Sequence, residues 1–171
     1  MNVAIFGIGN VLLGDDGVGP AVARFLDEHF QFPHEVVVED LGTPSLNLPA
    51  YLVDYDVVIF IDAVACDAPA GTIRTYSRDE IIAVAPGLRV SPHEPSINDA
   101  LLMLDFAGHA PRDVVLVGVV SQTLDGGVVL SSAVSEAVPR AAEAVIEELT
   151  KRGIASQRKV RESCHWRNAS L

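Results

Sequence analysis

The chain reads as an α/β protein, with helices on both faces of a mostly parallel sheet. Two observations predict it. Val57-Val58-Ile59-Phe60-Ile61 and Val114–Val117 are apolar on both faces of a pleat, as the covered central strands of a parallel sheet are. Between such runs, apolar residues recur at helical spacing, as in Val18, Ala21, Val22, Phe25 and Leu26. Strands alternating with helices lead to a layered αβα sandwich.

In order, Val3 to Phe6 forms the first strand and meets a Gly-rich turn, Gly7-Ile-Gly9-Asn10, before the first helix. Pro33 closes that unit, and Val36–Val38 is the second strand. Ser45 is placed to cap a short helix carrying Leu46, Leu48 and Leu52. The 57–61 strand follows, then a strand over Thr72–Tyr76. Ser96 caps a helix whose buried face is Ile97, Leu101 and Leu104. After Val114–Val117, the last helix shows a stripe of Val145, Ile146 and Leu149 and ends near Gly153, with Pro139 kinking it or marking its beginning.

With 171 residues, 49% of them hydrophobic, the chain suits one well-packed domain, drawn over 1–153, and a basic tail over 154–171, expected to be poorly ordered. No run approaches the roughly 18 apolar residues of a membrane span. The start, Asn2–Phe6, opens straight into a strand without a basic stretch before it, so no signal peptide is expected. Cys66 and Cys164 make neither a disulfide framework nor a CxxC pair, and a cytoplasmic protein is the simplest reading. Residues 1–150 hold six Arg against 22 acidic side chains, a balance of −16, whereas 151–171 carry six basic and one acidic, +5. Nucleic acid is an unsuitable partner for so acidic a body. The tail, with Lys159, Arg161, His165, Trp166 and Arg167, is either a docking element or a loose terminus.

Ligand sites in such sheets form beyond the carboxyl ends of the strands. Three segments bring chemistry there: Gly7-Ile-Gly9-Asn10-Val11-Leu12-Leu13-Gly14-Asp15-Asp16-Gly17-Val18-Gly19, Asp62 after the central strand, and Ser91-Pro92-His93-Glu94-Pro95 before a helix. Each also has a plainer explanation. The glycines serve any tight strand-to-helix turn, and a dinucleotide fingerprint would need glycine where Leu12 stands. Asp15 is read as a cap of the first helix and Asp16 as facing the rim. Asp62 could cap a loop, and His93 could be structural. Taken together, two carboxylates and an imidazole make an open site suited to nickel or zinc. Without a cation, unit charges about 4 Å apart repel by roughly 4 kcal/mol at an effective dielectric of 20, so a metal or a proton must offset one of them.

At these residues the sequence resembles the NiFe-hydrogenase maturation endopeptidases, from residue 1 to about residue 150. The resemblance rests on GIGNVLLGDDGVG, Asp62, the Gly42-Thr43 turn, the His93 segment and the Gly118 strand end. It implies a five-stranded αβα sandwich in which Asp16, Asp62 and His93 bind nickel and serve the reaction. It also implies the activity: recognition of nickel already installed in the hydrogenase large-subunit precursor, then removal of a C-terminal peptide after a basic residue. Members are commonly classed as aspartic endopeptidases. Nickel shared with the precursor is the implied cofactor, and the expected state is a monomer without membrane or nucleic-acid partners.

The chain departs from the family at three points. Asp16 stands where some members have Glu, Pro44-Ser45 follow Gly42-Thr43, and Val119-Val120-Ser121-Gln122 replaces a Gln-Pro after Gly118. Two rival readings use the same residues: a nickel-sensing chaperone that does not cut, and a nucleotide-dependent oxidoreductase with Asp40 on the ribose. A two-metal aminopeptidase would need more ligands than the sequence offers. Cys66, four residues past Asp62, is read as a bystander.

Overall fold

The fold is that of a computed structural model, which describes residues 1–83, 97–124 and 126–159. Its centre is β1 (Val3–Ile8), β3 (Val36–Gly42), β4 (Val57–Val64), β5 (Ile73–Ser77) and β6 (Asp113–Val120), in the order β3-β1-β4-β6-β5. All neighbours run parallel except β5, which is antiparallel to β6. The five-stranded αβα sandwich is therefore the observed fold.

The two faces of the sheet fill two cores. Val3, Ile5, Ile59, Ile61, Val117 and Val119 pack under α1 (Val18–His29) and α5 (Ser132–Lys151). Their alternate neighbours Ala4, Phe6, Val58, Phe60, Val114 and Leu116 pack under α2 (Leu48–Leu52) and α4 (Ile97–Ala107). A period of two sends successive side chains to opposite layers, so only runs apolar throughout can serve both. β1, β4 as far as Ile61 and β6 after Asp113 are such runs; β3, at the edge, is half exposed.

Several elements differ from the sequence expectation. β4 continues to Val64, which places Asp62 inside the strand, paired in register with Gly118, rather than after its end. Ser45 caps nothing: its φ is +48°, its side chain makes no cap hydrogen bond, and Leu46 is 79% exposed. α5 begins at Ser132, with the Ser131 hydroxyl accepting from the Val134 N–H, and runs through Pro139. The carbonyl that Pro139 leaves without its i+4 donor belongs to exposed Ser135, where the loss is least costly. A short helix, α3 (Arg78–Ala83), was not anticipated. Its start is a capping box: the Ser77 N–H donates to Glu80 Oε2 at 2.8 Å, and the Glu80 N–H to Ser77 Oγ at 3.4 Å.

Beyond Gly153, the first residues set apart as tail lie against the domain. β7 (Gln157–Arg158) pairs antiparallel with β2 (Phe30–Gln31), and the Arg158 guanidinium lies 5.6 Å over the Phe30 ring. Ser96 and residues 160–171, with Arg161, Cys164, His165, Trp166 and Arg167, lie outside the described residues.

Candidate active site

From β1 the chain turns through α1 to β3 on one side; from β4 it continues toward β6 on the other. The switch point therefore falls between the carboxyl ends of β1 and β4, where open α/β sheets form their crevice. The 9–17 loop builds one wall of it, and Asp62 stands on the neighbouring strand.

Two glycines make this wall. A Cβ on Gly19 would lie 2.1 Å from the Ile8 carbonyl oxygen and 2.4 Å from that of Ile61. Only glycine lets the first turn of α1 rest on the end of β1 and on β4 at Ile61. Gly9 has φ +138°, and a Cβ there would meet the Asp16 carbonyl oxygen at 1.8 Å. The close approach of Gly9 folds the loop back on itself, so that the Asn10 N–H donates to Asp16 Oδ2 at 2.7 Å.

Asp15 and Asp16 are neighbours with opposite roles. Asp15 is fully buried and does not cap α1, whose N-cap, Gly17, has no side-chain partner. Its carboxylate points across the rim instead. It accepts from the N–H groups of Gln122 (2.8 Å), Thr123 (3.1 Å) and Ser131 (2.6 Å), and from the Ser131 hydroxyl (2.9 Å). Burial alone would raise its pKa, but these donors outweigh burial and hold the group below the ordinary value. Asp16 is 8% exposed, and among the described residues the Asn10 N–H is its one side-chain hydrogen-bond partner. Burial dominates there and pushes its pKa up, against that single donor. A buried carboxyl so thinly satisfied favours either a proton or a cation beside it.

Asp62 shares strand parity with Val58, Phe60 and Val64, on the α2 and α4 side, and its Oδ1 accepts from the Ala63 N–H at 2.7 Å. His93, with Ser91, Pro92, Glu94 and Pro95, lies outside the described residues, between α3 and α4. The structure thus brings the Asp16 loop and Asp62 to one switch point and leaves the imidazole undescribed. Among the described residues, no three His, Cys, Asp or Glu side chains form a metal-binding group. Hard carboxylate oxygens at Asp16 and Asp62 suit a divalent ion as part of such a set. Asp40, the residue an oxidoreductase would need for the ribose, turns back to accept from the Gly42 N–H at 2.9 Å. Sequence reasoning missed Gln122, Thr123 and Ser131 as partners of Asp15. Only Ser131, a serine just ahead of a helix, carried a local signal.

Comparison with known proteins decides the family. The profile of the HycI family, described as hydrogenase maturation protease, matches residues 20–148. This chain belongs to the hydrogenase maturation protease family. It is 32% identical over 156 residues to the hydrogenase expression/formation protein HoxM of Azotobacter vinelandii, covering 91% of this chain and 75% of that one. The hydrogenase 2 maturation protease of Escherichia coli K12 is 29% identical, covering 90% of this chain and 94% of its own. Among solved structures, the hydrogenase maturating endopeptidase HybD from Escherichia coli superposes with a TM-score of 0.86 at 28% identity, covering 93% and 98% of the two chains. As a maturation protease, the chain carries its acidic loop at the switch point of the family fold. Among its described residues, no helix is long and apolar enough to cross a membrane.

Proposed function

We propose that this maturation protease removes the C-terminal extension of a NiFe-hydrogenase large-subunit precursor once nickel has been inserted. The observation that carries the reading is Asp16, a buried carboxyl at the switch point, held among the described residues by one N–H and pushed toward protonation by burial. Such a group gains most from a cation brought to it. Nickel arrives as part of the substrate, bound in the precursor, and when bound it supplies a Lewis acid beside the scissile carbonyl. Asp16, Asp62 and His93 hold the nickel-bearing end of the precursor, and Asn10 fixes the Asp16 carboxyl through its backbone. Asp15 orients the rim without touching substrate. An aspartic-type dyad of the pepsin kind is not required, because the carboxylates act as ligands. The reaction is assigned to the cytoplasm, in keeping with a chain of only two cysteines.

Incubation of the purified enzyme with nickel-loaded and nickel-free precursor, read by mass spectrometry, tests this. Loss of the extension from the loaded form alone is expected. Binding without any mass loss would favour the non-cleaving chaperone, and equal cutting of both forms would overturn the nickel dependence. His93→Ala and Asp62→Asn should each abolish cutting with little change in melting temperature.

A further inference from the structure

The loop that ends in Asp16 exposes Val11, Leu12 (62% exposed) and Leu13. Beside it, the loop after β6 exposes Val128 (75%) and Val129 (78%). The two segments are joined: Leu13 and Gly127 form a parallel bridge, the Gly14 N–H donates to the Gly127 carbonyl at 2.8 Å, and the Gly127 N–H to that of Leu12 at 3.0 Å. The Asp15 carboxylate, with its bonds to Gln122, Thr123 and Ser131, fastens the base of both loops. The product is a fixed apolar ridge rather than two loose loops. A contiguous apolar surface exposed to water is a common mark of a binding site. Preorganisation also lowers the ordering cost of association.

We infer that this ridge docks the C-terminal extension of the hydrogenase large-subunit precursor, as an apolar segment that also carries basic charge. The identity of the partner rests on the proteolytic reading above. Two observations select its chemistry. The ridge is continuous with the site, because Asn10, which donates to Asp16, immediately precedes Val11. Charge is complementary as well: the ridge segments Val11–Leu13 and Gly126–Val129 hold no ionic side chain, while residues 1–150 carry a balance of −16. An apolar peptide with basic flanks meets both conditions. Docking through the part that is cut away has a kinetic merit, because the mature subunit is no longer tied to the ridge after cleavage. Remote binding energy is then spent on positioning the scissile bond rather than on retaining product.

Calorimetric binding of nickel-free precursor, and of the same subunit lacking its extension, separates docking from cutting. The wild-type enzyme should bind the precursor and lose most of that affinity when the extension is absent. Leu12→Ser combined with Val128→Ser should weaken precursor binding about tenfold or more. Phe106→Ser, at a 98% exposed site on α4 away from the rim, should leave it unchanged. Because the ridge residues are exposed, melting temperatures should hold. If the double variant fails to fold, Val129→Ser alone, expected to weaken binding several-fold, takes its place. Undiminished affinity in the ridge variants, equal binding of the shortened subunit, or no binding of nickel-free precursor by wild type would each overturn the ridge. Cleavage of nickel-loaded precursor, run alongside, reports on the proteolytic reading independently.

Discussion

At the amino end of the sheet, Glu148 on α5 is buried between two cations. Lys151 Nζ lies 2.5 Å from its Oε1 and an Arg152 nitrogen 2.6 Å from its Oε2, while Arg152 Nε reaches Asp113 at the start of β6 at 2.7 Å. Burial raises the Glu148 pKa, but the hydrogen bonds and charges of Lys151 and Arg152 more than reverse it, and the net shift is downward. At the carboxyl rim, Asp16 is equally hidden and has, among the described residues, one backbone donor and a raised pKa. Lys151 and Arg152 therefore favour the charged form of one buried carboxylate, while burial disfavours the charge on the other. The contrast separates a buried carboxylate that is fully paired from one that awaits a partner.

The sharpest way to break this comparison is Asp16→Asn. Processing should fall by about a hundredfold or more, a loss of the size seen when a preorganised polar group is removed from a site. The melting temperature should stay level or rise, because the amide can still accept from Asn10 without a charge to bury. A marked drop in melting temperature, measured by calorimetry, would make Asp16 structural. Next in size is Asp15→Ala. It leaves the N–H groups of Gln122, Thr123 and Ser131 without their acceptor, at a cost of about 3 kcal/mol. That corresponds to roughly 6–12 °C in melting temperature at this chain length. A full retention of stability would show the rim to be held by other means.

Glu148→Gln should cost less, about 1–2 kcal/mol, since Arg152 keeps Asp113. Its pH signature is the better test. The folded-state pKa of Glu148 is lowered, so its contribution is complete above the ordinary value of 4.5 and fades as pH falls through the lowered folded value. Wild type and variant should therefore differ in stability at neutral pH and converge in acid, as followed by denaturant melts at several pH values. A difference that is constant with pH would mean that packing, not charge, sets the effect. Smallest of all is Cys66→Ser. The thiol is half-buried against the α2 and α4 core, so less than about 1 kcal/mol is expected, with unchanged processing.

The sheet was legible because burial on both faces leaves a direct mark on composition: β1, β4 as far as Ile61 and β6 after Asp113 stand out as apolar runs. The end of β4 was not, since Asp62 interrupts that run two residues before the strand stops; a polar residue inside a strand looks the same as one after it. α3 is brief and was not anticipated, although Ser77 and Glu80 have the spacing of a capping box. The loop from Gly7 to Gly19 could be assigned to the rim and Asp15 to a structural role, but as a cap of α1 rather than as the anchor of a distant loop. Both are acidic and adjacent, and what distinguishes them is the loop around Ser131, more than a hundred residues away in sequence. Long-range partners of this kind leave no periodicity to read.

The Asp15 bonds span 107 to 116 residues of chain, and that separation has a bearing on biosynthesis. The loop containing Asp16 leaves the ribosome well before its anchor, which emerges only after β6 and the approach to α5. Contacts between such distant positions close late, after more local structure has formed. An unfinished chain thus carries the acidic loop without the clamp that shapes it. By this route the protease acquires a shaped rim only once the segment up to Ser131 has been synthesised, and a copy cut short before β6 would have the acid but not the grip.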